Sequence, residues 1–201
     1  MEIICKPLGP VQANSYLIIQ KSEALLVDPG AEYPNLQAIL DEKQASLKAI
    51  LLTHAHFDHI GGVDSIVEKF HVPVYLNPKE FSFLTDSKLN SSFYFGCHTL
   101  CKTKPEALKE GKMQIGNFEI FVHYCPGHSC GSSIFQIEDA LFTGDTLFAS
   151  SVGRMDLPTG SVQDMDASVA YLKTLPGFLH VYPGHGPETL LNYEKQTNPY
   201  F

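Results

Sequence analysis

The seven residues Thr53-His54-Ala55-His56-Phe57-Asp58-His59 carry three imidazoles and a carboxylate, a set that ordinary packing does not call for. Imidazole nitrogen and carboxylate oxygen are the donors a zinc-like cation takes, at about 2.0–2.2 Å. The segment reads as a metal site. His54 and His56 lie two residues apart, which excludes the helical i, i+4 pair of an H-E-x-x-H metalloprotease. The apolar run Leu47-Lys48-Ala49-Ile50-Leu51-Leu52 precedes the cluster and Gly61-Gly62 follows it. The pattern predicts a strand-to-helix loop, which gives ligands a rigid base and a free face.

Short β-type runs alternate with helical patterns along the rest of the chain. Ser15 to Ile19 and Ala24 to Val27 read as strands, the second ended by the turn signal Asp28-Pro29-Gly30. Leu36, Ile39 and Leu40 mark a helix face, Val63 to Phe70 a second helix, and Val72 to Leu76 another strand. Periodicity fades from about Phe81 to Pro105, a stretch too long for a routine connection and read as a lid or insertion. Strands follow at Phe118 to Val122, Ser133 to Ile137 and Ala140 to Phe142. A helix from about Val162 to Leu175, a strand from Phe178 to Tyr182 and a helix from Pro187 complete the pattern.

With 201 residues and no linker-like composition, one domain spanning 1–201 is expected. Hydrophobic residues at 44% and charged residues at 18% suit a globular enzyme. A net charge of −8 argues against a nucleic-acid partner. The start Met1-Glu2-Ile3-Ile4-Cys5-Lys6-Pro7 lacks the apolar stretch of a signal peptide, and no run is long enough to span a bilayer. A cytoplasmic location without membrane contact is expected. Five cysteines, odd in number and without a CxxC pair, suit reduced thiols; Cys97-His98-x-x-Cys101 fits no common zinc spacing.

Three further metal-type residues obey one rule. His128 lies in Pro126-Gly127-His128-Ser129, Asp145 in Thr143-Gly144-Asp145-Thr146 and His185 in Pro183-Gly184-His185-Gly186, each just past an apolar run. A lone His or Asp in such a turn is commonly a hydrogen-bonding turn residue, but these loops can gather at one sheet edge beside the first cluster. His71, His98, His123 and His180 lack this context and are read as structural or exposed.

Taken together, His54-x-His56-x-Asp58-His59 followed by His128, Asp145 and His185 resembles the metallo-β-lactamase superfamily, from the Asp28-Pro29-Gly30 turn to Glu188. The resemblance implies an α/β fold, a four-layer αβ/βα sandwich of two mixed sheets with helices outside. It also implies two divalent metal ions, with zinc the first expectation and iron or manganese the alternatives. By the family pattern His54, His56 and His128 hold one ion, Asp58, His59 and His185 the other, and Asp145 bridges them. Asp28 resembles the aspartate that orients a ligand from behind. A hydroxide held between such ions is a nucleophile at neutral pH, and Asp58 would orient it as the catalytic carboxylate.

The run Gly144-Asp145-Thr146-Leu147-Phe148-x-x-Ser151-x-Gly153-Arg154-x-Asp156-Leu157-Pro158 and the segment Gly184 to Thr189 resemble the single-domain hydrolases related to glyoxalase II, which cleave acyl thioesters of glutathione. A small-molecule thioester is the expected substrate. The chain departs from the two-domain members of that group in stopping soon after Glu188, and in carrying Arg154-Met155-Asp156 where they carry a Lys-Phe-Tyr-like group. Arg154, the only arginine, is a candidate for gripping a substrate carboxylate, with a loss of about tenfold or more in KM for an anionic thioester on its removal. The alternative for Arg154 is a salt bridge with Asp156. Three other readings fit parts of the same residues: a persulfide dioxygenase with one iron on His54, His128 and Asp145, a lactonase or β-lactamase, and a non-catalytic metal-binding module.

Overall fold

Strands that are apolar on both faces require cover on both sides, and this chain meets that need with two sheets stacked between helices. The computed structural model describes residues 1–201. The first sheet runs in the order β1 (Glu2–Leu8), β2 (Ala13–Gln20), β3 (Glu23–Val27), β4 (Ser46–Leu51), β5 (Val74–Leu76) and β6 (Glu106–Ala107). The second contains β7 (Gly111–Ile115), β8 (Phe118–Tyr124), β9 (Ser133–Ile137) and β10 (Ala140–Gly144), joined after the small hairpin of β11 (Leu147–Phe148) and β12 (Ser151–Val152) by β13 (His180–Pro183) and β14 (Thr189–Leu190). Both large sheets are mixed. Pairing is antiparallel from β1 to β3 and parallel from β3 to β6; in the second sheet β10 and β13 run parallel and the other pairs antiparallel.

The alternation of side chains shows why there are four layers. Tyr16, Ile18, Leu25, Val27, Ala49 and Leu51 point between the sheets, where they meet Phe118, Ile120, Val122, Phe135 and Phe142. Their neighbours Leu17, Ala24, Leu26 and Ile50 face outward into a core closed by α1 (Leu36–Glu42) and by α3 (Val63–Phe70), which follows the short α2 (Phe57–Ile60). On the other side Ile134, Leu141 and Val181 pack under α4 (Val162–Thr174) and α5 (Leu191–Thr197) through Met165, Val169, Leu172 and Leu191. At about 25 cal/mol per Å2 of apolar surface, full burial of each such side chain contributes about 1.5–3 kcal/mol before chain entropy is counted. The fold is the expected αβ/βα sandwich.

Three predicted elements begin later than expected, the first being β5, which starts at Val74 rather than Val72. The strand expected at Phe178 to Tyr182 is β13, which begins at His180 because Phe178 is 69% exposed. The final helix begins at Leu191 rather than Pro187, because Thr189 and Leu190 first pair antiparallel with β13. Strands β1 and β7, with Glu2, Lys6, Lys112 and Gln114, escape hydrophobic patterning because each is an edge strand with polar side chains. The 81–105 stretch holds no sheet strand; it contains most of a 3-10 helix at Pro78–Thr85 and all of a second at Ser92–Phe95. All five cysteines are free, and Cys101 bonds Asp64 through its sulfur. No helix is long and apolar enough to cross a membrane.

Candidate metal centre

Strand direction decides where the candidate ligands meet. Asp28 follows β3 and the His54/His56 loop follows β4, and these strands are parallel. His128, Asp145 and His185 follow β8, β10 and β13; β8 and β10 each run antiparallel to β9, and β13 runs parallel to β10, so all three point the same way. The five loops therefore leave the sandwich at one edge. Cross-ties hold the two sheets together there: Ser133 N donates to Thr53 O at 2.8 Å, and Tyr16 Oη to Pro183 O at 2.6 Å.

All seven predicted ligands converge. Ligand atoms of His54, His56 and His128 lie within 4.8 Å of one another, as do those of Asp58, His59 and His185. Asp145 stands between the groups, its Oδ1 3.4 Å from His59 Nε2 and its Oδ2 3.5 Å from His128 Nε2. His185 Nε2 sits 3.1 Å from Asp58 Oδ2. Apart from His185, these side chains are buried. His54 Nε2, His56 Nε2, His59 Nε2 and Asp145 Oδ1 are nevertheless without a hydrogen-bond partner. Buried polar atoms are seldom left unpaired, and here the orphans are metal-type donors in one cluster. The residues fit a pair of cations.

The ring orientations are set from behind. Asp28 adopts a left-handed backbone, φ 48°, which a short polar side chain tolerates. Its carboxylate accepts from Thr53 N at 2.8 Å, from Thr53 Oγ1 and from His59 Nδ1 at 2.9 Å. That bond commits Nδ1 of His59 and turns Nε2 toward the centre. His128 does the same by donating Nδ1 to Arg154 O at 2.7 Å. Space is equally specified. A Cβ on Gly153 would lie 1.8 Å from Asp145 O, and one on Gly184 2.2 Å from Asp145 Oδ1, so only glycine lets these loops pack against Asp145.

Charge is arranged in two halves. Burial, then the neighbouring imidazoles, hold His54 well below the ordinary histidine value; burial and then His128 lower His56 to about 3. Both stay neutral, the form that ligates. For His59, burial opposes charge but Asp58, Asp28 and Asp145 outweigh it and raise the group well above its ordinary value. Burial would raise Asp58 and Asp145, yet His59 and its neighbours hold both below the usual carboxylate range. A positive charge is thus favoured at the carboxylate half of the site, where a bound cation would supply it.

Residues 8–185 match the Metallo-beta-lactamase superfamily. The chain belongs to that family. Over 199 residues it is 40% identical to a probable metallo-hydrolase, YqgX, of Bacillus subtilis, covering 96% of this chain and 94% of the relative. It is 30% identical over 207 residues to hydroxyacylglutathione hydrolase GloC of Haemophilus influenzae, covering 100% and 98%. Among solved structures it resembles the BLEG-1 B3 metallo-beta-lactamase, with a TM-score of 0.93 and 40% identity over 99% of each chain. It also resembles TTHA1623 in a di-iron-bound form, with a TM-score of 0.84 and 39% identity over 98% and 100%. Membership makes this superfamily chain a metal-dependent hydrolase in outline, with divalent ions implied at the His/Asp cluster.

Sequence reasoning missed two features that serve the site. Glu80 is wholly buried and accepts from Ala55 N, Gly131 N at 2.9 Å and Ser129 Oγ, tying the His54/His56 loop to the His128 loop. Asn14 Nδ2 donates to Pro183 O at 3.0 Å and Gly186 O at 2.9 Å, holding the His185 turn. Neither shows a sequence signal: Glu80 falls between the strand expected to end at Leu76 and the stretch where periodicity fades, and Asn14 just before the strand expected from Ser15. The four remaining histidines lie outside the centre; His123 is buried against Tyr171 Oη at 2.7 Å, and the other three are exposed.

Proposed function

We propose that this chain is a dinuclear metal hydrolase that cleaves small-molecule acyl thioesters. The observation that carries the reading is the convergence of seven ligand-type side chains with four buried donor atoms unpaired; full-length similarity to a hydroxyacylglutathione hydrolase supports the substrate class. His54, His56 and His128 would hold one ion, Asp58, His59 and His185 the other, and Asp145 both. Zinc suits this nitrogen and oxygen set, while the di-iron relative keeps iron in view. Two such ions lower the pKa of water enough to supply a hydroxide nucleophile and polarise a carbonyl. Asp58, kept ionised, would accept a hydrogen bond from the attacking water and orient it. Asp28 and the Arg154 carbonyl keep His59 and His128 from rotating. A departing thiol with a pKa near about 8.5 requires little help from an acid, which agrees with a cavity that holds none apart from the ligands. The reduced cysteines suit a cytoplasmic setting.

Arg154 lines the same cavity, but its Nε and Nη2 donate to Asp156 at 2.6 and 2.7 Å. An incoming carboxylate would exchange with Asp156 on an exposed guanidinium, a nearly balanced trade. Arg154→Ala is therefore expected to raise KM for an anionic thioester by only about fivefold or less, below the tenfold expected of a free guanidinium. Steady-state kinetics with an anionic and a neutral thioester measure it; equal losses on both would assign the Arg154 side chain to supporting the loop rather than reading charge.

The test of the function is metal analysis of anaerobically purified protein with an S-lactoylglutathione assay. Two ions per chain, falling to about one in His59→Ala, with thioester turnover, is the expected result. One ion and oxygen uptake on glutathione persulfide would move the assignment to a dioxygenase. Hydrolysis confined to a β-lactam would move it to a lactamase.

A further inference from the structure

The cavity above the metal cluster encloses about 330 Å3. Five of the seven ligand side chains border it, and the rest of its lining is mainly apolar: Val11, Phe57, Phe95, Phe148 and Leu157. Two polar side chains interrupt those walls. Ser91 keeps its Oγ buried, out of reach of the cavity, and Arg154 donates to both carboxylate oxygens of Asp156 at 2.6 and 2.7 Å. The walls thus offer apolar surface and no free positive charge.

Two of these apolar side chains are held out of the core. Phe95 is 48% exposed and Val11 38%. Val11 sits in the turn between β1 and β2, where polar residues are the usual choice; Gln12 closes that turn by donating N and Nε2 to Gly9 O at 3.3 and 2.7 Å. Phe95 ends the second 3-10 helix, fixed by Phe93 N donating to Ser87 O at 2.9 Å and Gly96 N to Phe93 O at 3.3 Å. Its ring rests on Phe57, with centroids 5.1 Å apart, and Phe57 N donates to Asn90 O at 3.0 Å. Phe57 opens α2, which carries Asp58 and His59, so the Phe95 ring is placed relative to the metal ligands. Two segments 84 positions apart thus deliver accessible apolar groups to one cavity. Core packing does not require this, and such a surface marks a binding site.

We propose that the site selects thioesters whose acyl group is an apolar alkyl or aryl chain, lying against Phe95 and Val11 as specificity-determining residues, with the thiol portion left toward solvent. Apolar walls return nothing for the polar groups they dehydrate. A charged thiol carrier finds no free cation here, so the acyl half of the substrate is the half that the walls suit. At about 30 Å3 for each water-sized group, the cavity has room for about ten non-hydrogen atoms, which sets the chain at up to about eight carbons. The inference rests on the acyl-hydrolase reading and names the acyl class, one without the hydroxyl of a hydroxyacyl substrate.

The test is a series of N-acetylcysteamine thioesters from acetyl to octanoyl, assayed with zinc-loaded protein. kcat/KM is expected to rise about threefold for each added methylene and to level off near octanoyl. Phe95→Ala should lower the octanoyl-to-acetyl ratio about tenfold, Phe95→Leu should recover part of it, and Val11→Ser should lower it about threefold. Tyr94→Ala is the control: Tyr94 lies on the same 3-10 helix, 58% exposed but off the cavity, and the ratio should not change. Calorimetric titration of octanoate and acetate should show the same contrast without turnover. A ratio that does not rise with chain length, a Phe95→Ala loss shared equally by acetyl and octanoyl substrates, or an equal fall in Tyr94→Ala would each overturn the proposal. So would S-hexyl thioacetate, if lengthening the thiol side gained as much as lengthening the acyl side. Phe95-dependent preference for octanoate in a protein that hydrolyses no thioester would instead leave the apolar pocket standing and remove the hydrolase reading on which the inference rests.

Discussion

Asp145→Ala in the metal-loaded protein is expected to lower kcat for thioester hydrolysis by about a thousandfold or more. Asp145 is the one carboxylate set between both ligand groups, 3.4 Å from His59 Nε2 and 3.5 Å from His128 Nε2. Its loss would remove negative charge from both ion positions, and metal-ion stabilisation of several kcal/mol corresponds to about three decades of rate. Asp58→Ala should approach the same loss while retaining more of the His54/His56/His128 ion, because it touches only the His59 and His185 side. Metal content, circular dichroism and kinetics on each variant form the measurement. Full thioesterase activity in either folded variant would sink the mechanism.

Glu80→Ala is expected to be strongly destabilising, although Glu80 lies outside the ligand set. It strips acceptors from Ala55 N and Gly131 N, both buried, and leaves a void; Ser129 Oγ keeps Ser132 Oγ at 2.7 Å. At about 1–3 kcal/mol for each buried donor left unmade, the loss is about 3–5 kcal/mol, or about 10 °C in Tm for a chain of this size. Because the same residue joins the loops of His54, His56 and His128, zinc affinity should fall about tenfold to a hundredfold as well. Glu80→Gln keeps the volume and should sit between the two. Chemical denaturation and chelator competition would measure both; an unaffected zinc affinity in a destabilised variant would restrict Glu80 to structure.

pH supplies a second readout at Glu80. Burial raises its pKa above the ordinary value of 4.5, and the donors Ser129, Ala55 and Gly131 offset that only in part. A raised carboxyl binds its proton more tightly folded than unfolded, so stability through this group is greatest below about 4.5 and declines as pH climbs toward the folded value. The stability difference between Glu80→Gln and the wild type should therefore shrink as pH rises over that interval.

The ligand set was legible because each member carries its own local signal. His54, His56, Asp58 and His59 crowd one loop, and His128, Asp145 and His185 each end an apolar run in a Gly-rich turn. Strands β2 to β4 and β8 to β10 were legible for the same local reason: burial on one or both faces writes itself as alternating or continuous apolar residues. Edge strands β1 and β7 carry no such imprint, and the start of α5 was hidden because pairing of Thr189 and Leu190 with β13 overrides local preference.

Tertiary structure alone decided the rest. Whether Arg154 faces a substrate or Asp156, and whether Glu80 lies in solvent or between two ligand loops, depend on neighbours from two to 51 residues away. Residue type and spacing determine which atoms could bind a cation. Which of them are buried without a partner is set by long-range packing, because the energy of a polar group depends on what surrounds it after the chain has closed.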